Sequence, residues 1–142
     1  MSLEELEEVF KEYKNRGGRL ELETLSKHVE ETRPILIEAA RNRKTITYGE
    51  LTKKFRICRG DIGRLLGAIS IIEHRQNRPL LSSVVINKIT GNPGVEFLFL
   101  PGIQETIKRV GGQKNPILHY YNEGEEKFWK SELEKTWDYW QK

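Results

Sequence analysis

The chain has 142 residues, with 24 Lys and Arg against 21 Asp and Glu and a net charge of +3. Its length suits one folded domain, and 37% hydrophobic and 32% charged residues exclude a membrane span and indicate a folded chain. The start, Met-Ser-Leu-Glu-Glu, lacks the cationic and apolar segments of a secretory signal. A single cysteine excludes an internal disulfide. We therefore expect a cytoplasmic protein without a membrane partner.

The N-terminal segment, residues 1–22, predicts one amphipathic helix. Ser2 is a suitable N-cap, and glutamates follow it in the first turns, where the helix dipole favours negative charge. Gly17 and Gly18 end the helix, because glycine is the usual residue beyond a helix C-terminus. Its apolar stripe contains Leu3, Leu6, Val9, Phe10 and Tyr13.

Three further helices are predicted before residue 56. One covers 23–31, and a second begins at Thr32 with Pro34 in its first turn, where proline loses no hydrogen bond. Thr47 caps the third, 48–55, in a capping-box arrangement with the glutamate three residues later.

The remaining sequence predicts a long helix, a hairpin and two more helices. Asp61 is the expected N-cap of a helix to about Gln76. Two apolar runs separated by a Gly/Asn/Pro cluster then indicate a β-hairpin over 80–100. A short helix over 103–110 and a tryptophan-rich helix in 122–142 follow, and the latter's apolar stripe is expected to pack on the body. That stripe contains Trp129, Leu133, Trp137 and Trp140.

The order of these elements defines the expected fold class. Helix, helix, turn, long helix and hairpin is the order of a winged helix-turn-helix module. We therefore predict one α+β, mostly helical domain over 1–142. A winged-helix-like core occupies 23–110, with an extra helix at each end.

Charge is distributed unevenly along the chain. Residues 1–40 carry −4 and residues 95–142 carry −1, whereas residues 41–94 carry 11 basic and 3 acidic side chains, a net +8. Such a segment is typical of a surface that binds a polyanion, although a solvated basic face, or neutralisation by the acidic flanks, would give the same pattern.

The long helix also carries a strip of small residues: Gly60, Gly63, Gly67 and Ser70 recur at three- or four-residue spacing. Glycine is unfavourable inside a helix, so the missing side chains indicate close approach of another surface. That surface is either nucleic acid or a neighbouring helix. Arg64 flanks the strip, within reach of a groove or a phosphate.

Three short motifs resemble a known family. Thr-Tyr-Gly-Glu-Leu at 47–51, Gly-Arg-Leu-Leu-Gly-Ala at 63–68 and Arg-Pro-Leu-Leu-Ser-Ser-Val-Val at 78–85 are similar to the DNA-binding domain of O6-alkylguanine-DNA alkyltransferases and alkyltransferase-like proteins. The similarity covers about residues 34–85. It implies that Tyr48 presses on a backbone phosphate and that Arg64 enters the base stack in place of an extruded nucleotide.

The departures from that family concern its chemistry. Leu81 or Ser82 stands where the family has its reactive cysteine, and the activating histidine is absent. The single thiol, Cys58, precedes the long helix instead. Alkyl transfer is therefore excluded, and a DNA-binding module without a cofactor is the leading interpretation.

Two alternatives from other classes stay open. A small nuclease dependent on Mg²⁺ or Mn²⁺ would use Glu73, Glu96 and Lys88, with His74 as general base, although no metal-ligand spacing is present. A homodimer or protein-interaction module would use the glycine strip and the tryptophan helix. The residues predicted to contact nucleic acid, expected to be duplex DNA, are Tyr48, Lys53, Lys54, Arg56, Arg59, Gly63, Arg64, Gly67, Arg75, Arg78 and Lys88.

Overall fold

The structure, a computed structural model, describes residues 2–101 and 119–141. Its helices are α1 (Leu3–Asn15), α2 (Leu22–Arg41), α3 (Tyr48–Phe55), α4 (Arg59–Arg75) and α5 (Glu123–Trp140). Strands β1 (Ile46–Thr47) and β2 (Val85–Ile86) are short, and two 3-10 turns cover Leu81–Val84 and Val95–Phe99. The mostly helical α+β class is confirmed. The helix expected over 103–110 lies outside the described residues.

Local capping explains where several helices begin. Ser2 accepts a hydrogen bond from the Glu5 amide at 3.1 Å, and Thr47 accepts one from the Glu50 amide at 3.2 Å. Both predicted N-caps are therefore confirmed. α4 begins two residues before the predicted Asp61, and its N-cap is Cys58, which makes no side-chain capping hydrogen bond.

The two helices predicted on either side of Thr32 are one helix, α2, so that prediction was wrong. Thr32 is buried within it, and Pro34 lies inside it rather than in a first turn. An interior proline destabilises a helix because it removes a backbone hydrogen bond. Here Leu25, Leu36 and Ala40 are buried against the rest of the core on both sides of the proline, and this packing holds α2 continuous.

The prediction of a β-hairpin over 80–100 was also wrong. β2 instead pairs in parallel with β1, Ile46 opposite Val85 and Thr47 opposite Ile86, and this pair is the one sheet within the described residues. The flanking apolar runs form the two 3-10 turns. Residues 80–85 are all buried, and Phe97 and Leu98 are buried side by side in the second run, so burial does not alternate as it does in a half-exposed strand.

α4 is the central element of the core. It contacts α1, α2, α3 and both 3-10 turns, and eleven of its seventeen residues are buried. The predicted packing of the tryptophan helix on the body is confirmed: Trp129 and Leu133 of α5 are buried, and Trp137 and Trp140 pack against the same cluster. None of the described helices is long and apolar enough to cross a membrane.

Candidate nucleic-acid interface

The acidic flanks neutralise part of the basic segment 41–94. Arg43 makes salt bridges to Glu134 at 2.6 Å and Asp138 at 3.0 Å on α5. Arg75 pairs with a glutamate of α1, and Arg59 donates to Glu96 at 2.9 Å. The pairs of Arg43 and Arg75 therefore hold the terminal helices on the core, and that of Arg59 joins the start of α4 to the second 3-10 turn.

Two acids within the segment are each shared by two arginines. Glu73 is fully buried and accepts from Arg78 and, at 2.5 Å, from Arg33 of α2. Asp61 accepts two hydrogen bonds from Arg19, at 2.6 and 3.1 Å, and lies 3.8 Å from Arg64. The hydrogen bonds from Arg19 are the main reason that the pKa of Asp61 lies below its usual value.

Six basic residues of the segment make no salt bridge to any described residue, and all six are exposed. Three of them lie together at the end of α3 and in the turn that leads to α4. The other three lie at the end of α2, in the following loop and after β2. The six are Arg41, Lys44, Lys53, Lys54, Arg56 and Lys88.

Tyr48 faces the interior instead of solvent. Its side chain is 5% exposed, and its hydroxyl accepts a hydrogen bond from the Gly94 amide at 2.7 Å. Burial raises the pKa of this phenol well above its usual value. The ring is therefore not exposed to make the phosphate contact that the family resemblance implies.

The glycine strip of α4 faces the chain's own segment 95–100. A Cβ on Gly63 would lie 2.9 Å from Glu96 Oε1, and one on Gly67 would lie 3.8 Å from Leu100 Cδ2. The predicted close approach is thus present at Gly63, but the approaching surface is an intramolecular one. Eleven of the seventeen residues of α4 are buried, which leaves few of its side chains available to enter a major groove.

Four arginines surround the first turn of α4: Arg16, Arg19, Arg59 and Arg64. Arg16, Arg59 and Arg64 line one shallow depression. Arg19 contacts the same turn by donating a hydrogen bond to Asp61. We call these four residues the arginine cluster. The N-terminus of α4, which carries partial positive charge and has no side-chain cap, lies at its centre.

Sequence reasoning missed two members of this cluster, Arg16 and Arg19. Both lie outside the basic segment, in a region of net negative charge. The available signal was the Arg-Gly-Gly-Arg sequence at 16–19, in which two cations flank the glycines that end α1. Folding then brings this loop to the start of α4.

The residues of the nuclease alternative do not converge. Glu96 contacts Gly63, whereas Glu73 lies ten residues further along α4, which corresponds to about 15 Å. His74 and Lys88 are exposed. No group of three or more His, Cys, Asp or Glu residues within the described residues could hold a metal ion.

The fold and surface thus define a mostly helical α+β protein with an arginine-rich face. Comparisons with protein-family models, curated proteins and solved structures found no match to the chain. The alkyltransferase resemblance of residues 34–85 stays a prediction. Leu81 and Ser82, either of which corresponds to that family's reactive cysteine, are both buried, and Ser82 is hydrogen-bonded to Ser70 at 2.6 Å. The thiol of Cys58 donates to Asp61 at 3.3 Å.

Proposed function

We propose that this chain binds nucleic acid, specifically duplex DNA. It would contact the backbone phosphates and would not cleave the strand. The observation that carries this proposal is the group of exposed cations that make no salt bridge to a described residue, Lys53, Lys54 and Arg56. A three-residue turn spans at most about 11 Å, so these side chains lie near the arginine cluster. Together they form one cationic region at the α3–α4 corner.

In this proposal α3, the turn and α4 act as a helix-turn-helix-like unit that rests on the backbone. Packing of α4 against five other elements argues against deep insertion. The uncapped start of α4 supports a phosphate contact, because backbone N–H groups and the helix dipole there favour an anion. Contacts of this kind position a protein on a duplex and carry no sequence information themselves. We therefore expect binding with little sequence preference.

Salt dependence tests the proposal directly. Anisotropy of a labelled 20-base-pair duplex gives the affinity as a function of salt concentration, and log K should fall with a slope of about −0.9 for each phosphate contacted. Replacing Lys53, Lys54 and Arg56 by Gln should weaken binding for every sequence tested and reduce the slope by roughly one for each lost contact.

The matched control removes charges elsewhere. Lys127 and Lys130 are exposed on α5, and their replacement by Gln should leave duplex affinity nearly unchanged. Equal weakening by the α3 and α5 variants would show that only net charge matters. A flat salt response of the wild-type chain would exclude phosphate binding altogether.

A further inference from the structure

A cavity of about 270 Å³ lies between α1, α4 and the second 3-10 turn. Its walls are mainly apolar and include the buried side chains of Tyr13, Leu66, Phe97 and Leu100. An apolar cavity of roughly 150 Å³ holds one benzene ring. The space here therefore suits a body of about two fused rings, a size that water alone fills poorly because apolar walls offer it few partners.

Gly67 keeps this cavity open. A Cβ at this position would meet one atom, Leu100 Cδ2, at the ordinary contact distance of 3.8 Å. Packing therefore does not require glycine here, in contrast to Gly63, although glycine is among the least favourable residues in a helix interior. What the missing side chain provides at position 67 is space inside the cavity.

The mouth of the cavity carries an excess positive charge on Arg64. The nearest carboxylate oxygen, on Asp61, lies 3.8 Å away, too far for a hydrogen bond, and Asp61 is already held by Arg19. The other acid at the mouth, Glu96, is paired with Arg59. The Arg64 side chain is 41% exposed and makes no hydrogen bond to another described residue.

Arg16, the second cation of the mouth, is already engaged. It donates to the Phe99 carbonyl at 2.9 Å and to Glu12 at 3.0 Å. In the floor, Ser82 accepts a hydrogen bond from Ser70, which leaves its own hydroxyl hydrogen available to a ligand. The site thus combines apolar walls, one hydroxyl donor and a guanidinium that makes no hydrogen bond within the described part of the chain, the usual composition of a small-molecule site.

We propose that this cavity binds a small aromatic carboxylate, with its rings against Leu66, Phe97 and Leu100 and its carboxylate on Arg64. Charge complementarity fixes the orientation, because the guanidinium offers parallel N–H donors at the mouth and nothing comparable lies in the apolar depth. The site shares Arg64 with the arginine cluster, but its apolar walls of Leu66, Phe97 and Leu100 are separate from the cations that carry the proposed nucleic-acid binding, so the two proposals can be tested independently.

Titration with 2-naphthoate tests the site. In ¹H–¹⁵N spectra of the full chain we expect saturable shifts of the Gly63, Gly67 and Leu100 amides, with a Kd of about 1 mM or tighter for a ligand of this size. The neutral analogue 2-naphthylmethanol should bind about tenfold more weakly, because it lacks the charge-assisted hydrogen bonds. Absence of saturable shifts, or equal binding of both compounds, would overturn the proposal.

Three variants separate this site from the nucleic-acid surface. Arg64→Gln should weaken 2-naphthoate about tenfold and leave 2-naphthylmethanol unchanged, whereas Arg56→Gln, an exposed arginine outside the cavity, should change neither. Gly67→Met should fill the cavity and abolish binding of both compounds while duplex affinity is retained. If Gly67→Met does not fold, Gly67→Ala should still weaken both compounds. Unchanged binding of both compounds by Gly67→Ala would contradict the proposed location of the ligand in this cavity.

Discussion

The guanidinium carbon of Arg59 lies 3.5 Å from the centre of the Tyr48 ring. The same guanidinium donates to Glu96, and the Tyr48 hydroxyl accepts from the amide of Gly94. One stack therefore connects the start of α3, the start of α4 and the segment before the second 3-10 turn. Tyr48 and Arg59, both predicted from the sequence to contact nucleic acid, thus hold three elements of the fold together.

Tyr48→Phe should destabilise the fold. The substitution removes the acceptor of the Gly94 amide in a buried position, and a buried donor left without a partner costs about 1–3 kcal/mol. Urea unfolding followed by circular dichroism measures the change. Tyr120, which is 63% exposed, provides the matched control, and Tyr120→Phe should have no measurable effect. Equal stability of the two variants would argue against the hydrogen bond.

Glu73 should be among the residues on which stability depends most. Its carboxylate is 0% exposed and accepts from two arginines, Arg33 and Arg78. Glu73→Gln keeps the volume but leaves two cations without their anion, and breaking a buried ion pair costs about 3–5 kcal/mol. The control is Glu126→Gln, which breaks an exposed pair with Lys130 and should cost less than about 0.5 kcal/mol. A comparable loss in both variants would show that the burial is unimportant.

Several predictions that rest on neighbouring residues succeeded, although the N-cap expected at Asp61 did not. The caps at Ser2 and Thr47 and the buried stripe of α4 depend on contacts within one or two turns of the chain, so sequence spacing determines them. The break predicted at Thr32 failed because packing along the whole of α2 outweighs the local preference of Pro34. Local rules describe what an isolated segment favours, and the core can override them.

Features that depend on distant residues could not be predicted. The bridge between β1 and β2 joins Ile46 to Val85, and the salt bridge from Arg43 to Glu134 joins the basic segment to the last helix. Neither of these contacts produces a periodic pattern in the sequence. The charge count of 41–94 correctly located excess cations, such as Lys53, but could not tell which of them the acidic flanks would neutralise.

The two glycines of α4 should respond oppositely to alanine. Gly67→Ala gains about 1 kcal/mol in helix propensity, and its Cβ meets only Leu100 at an ordinary distance. In Gly63→Ala the Cβ would lie 2.9 Å from Glu96 and 3.0 Å from Arg59, so their salt bridge must shift and the gain is offset. Urea unfolding should therefore rank Gly67→Ala above wild type and Gly63→Ala at or below it. The reverse order would contradict this packing of α4.

Asp61 links stability and binding through the arginine cluster. Because hydrogen bonds from Arg19 lower its folded-state pKa, the carboxylate contributes stability above the unfolded value of 3.8, and this contribution is lost as pH falls through the folded pKa. Asp61→Asn should therefore be less stable than wild type at pH 7, and the difference in free energy of unfolding should shrink below about pH 4.

The same substitution should affect duplex binding with the opposite sign. Loss of the carboxylate releases Arg19 and Arg64 from their shared anion and adds one positive charge at the start of α4. We expect duplex affinity at pH 7 to rise about threefold, the scale of a surface charge interaction. Arg19→Gln serves as the control, because it also breaks the pair but removes a cation, and it should weaken binding. If both variants change affinity in the same direction, the arginine cluster is not part of the interface.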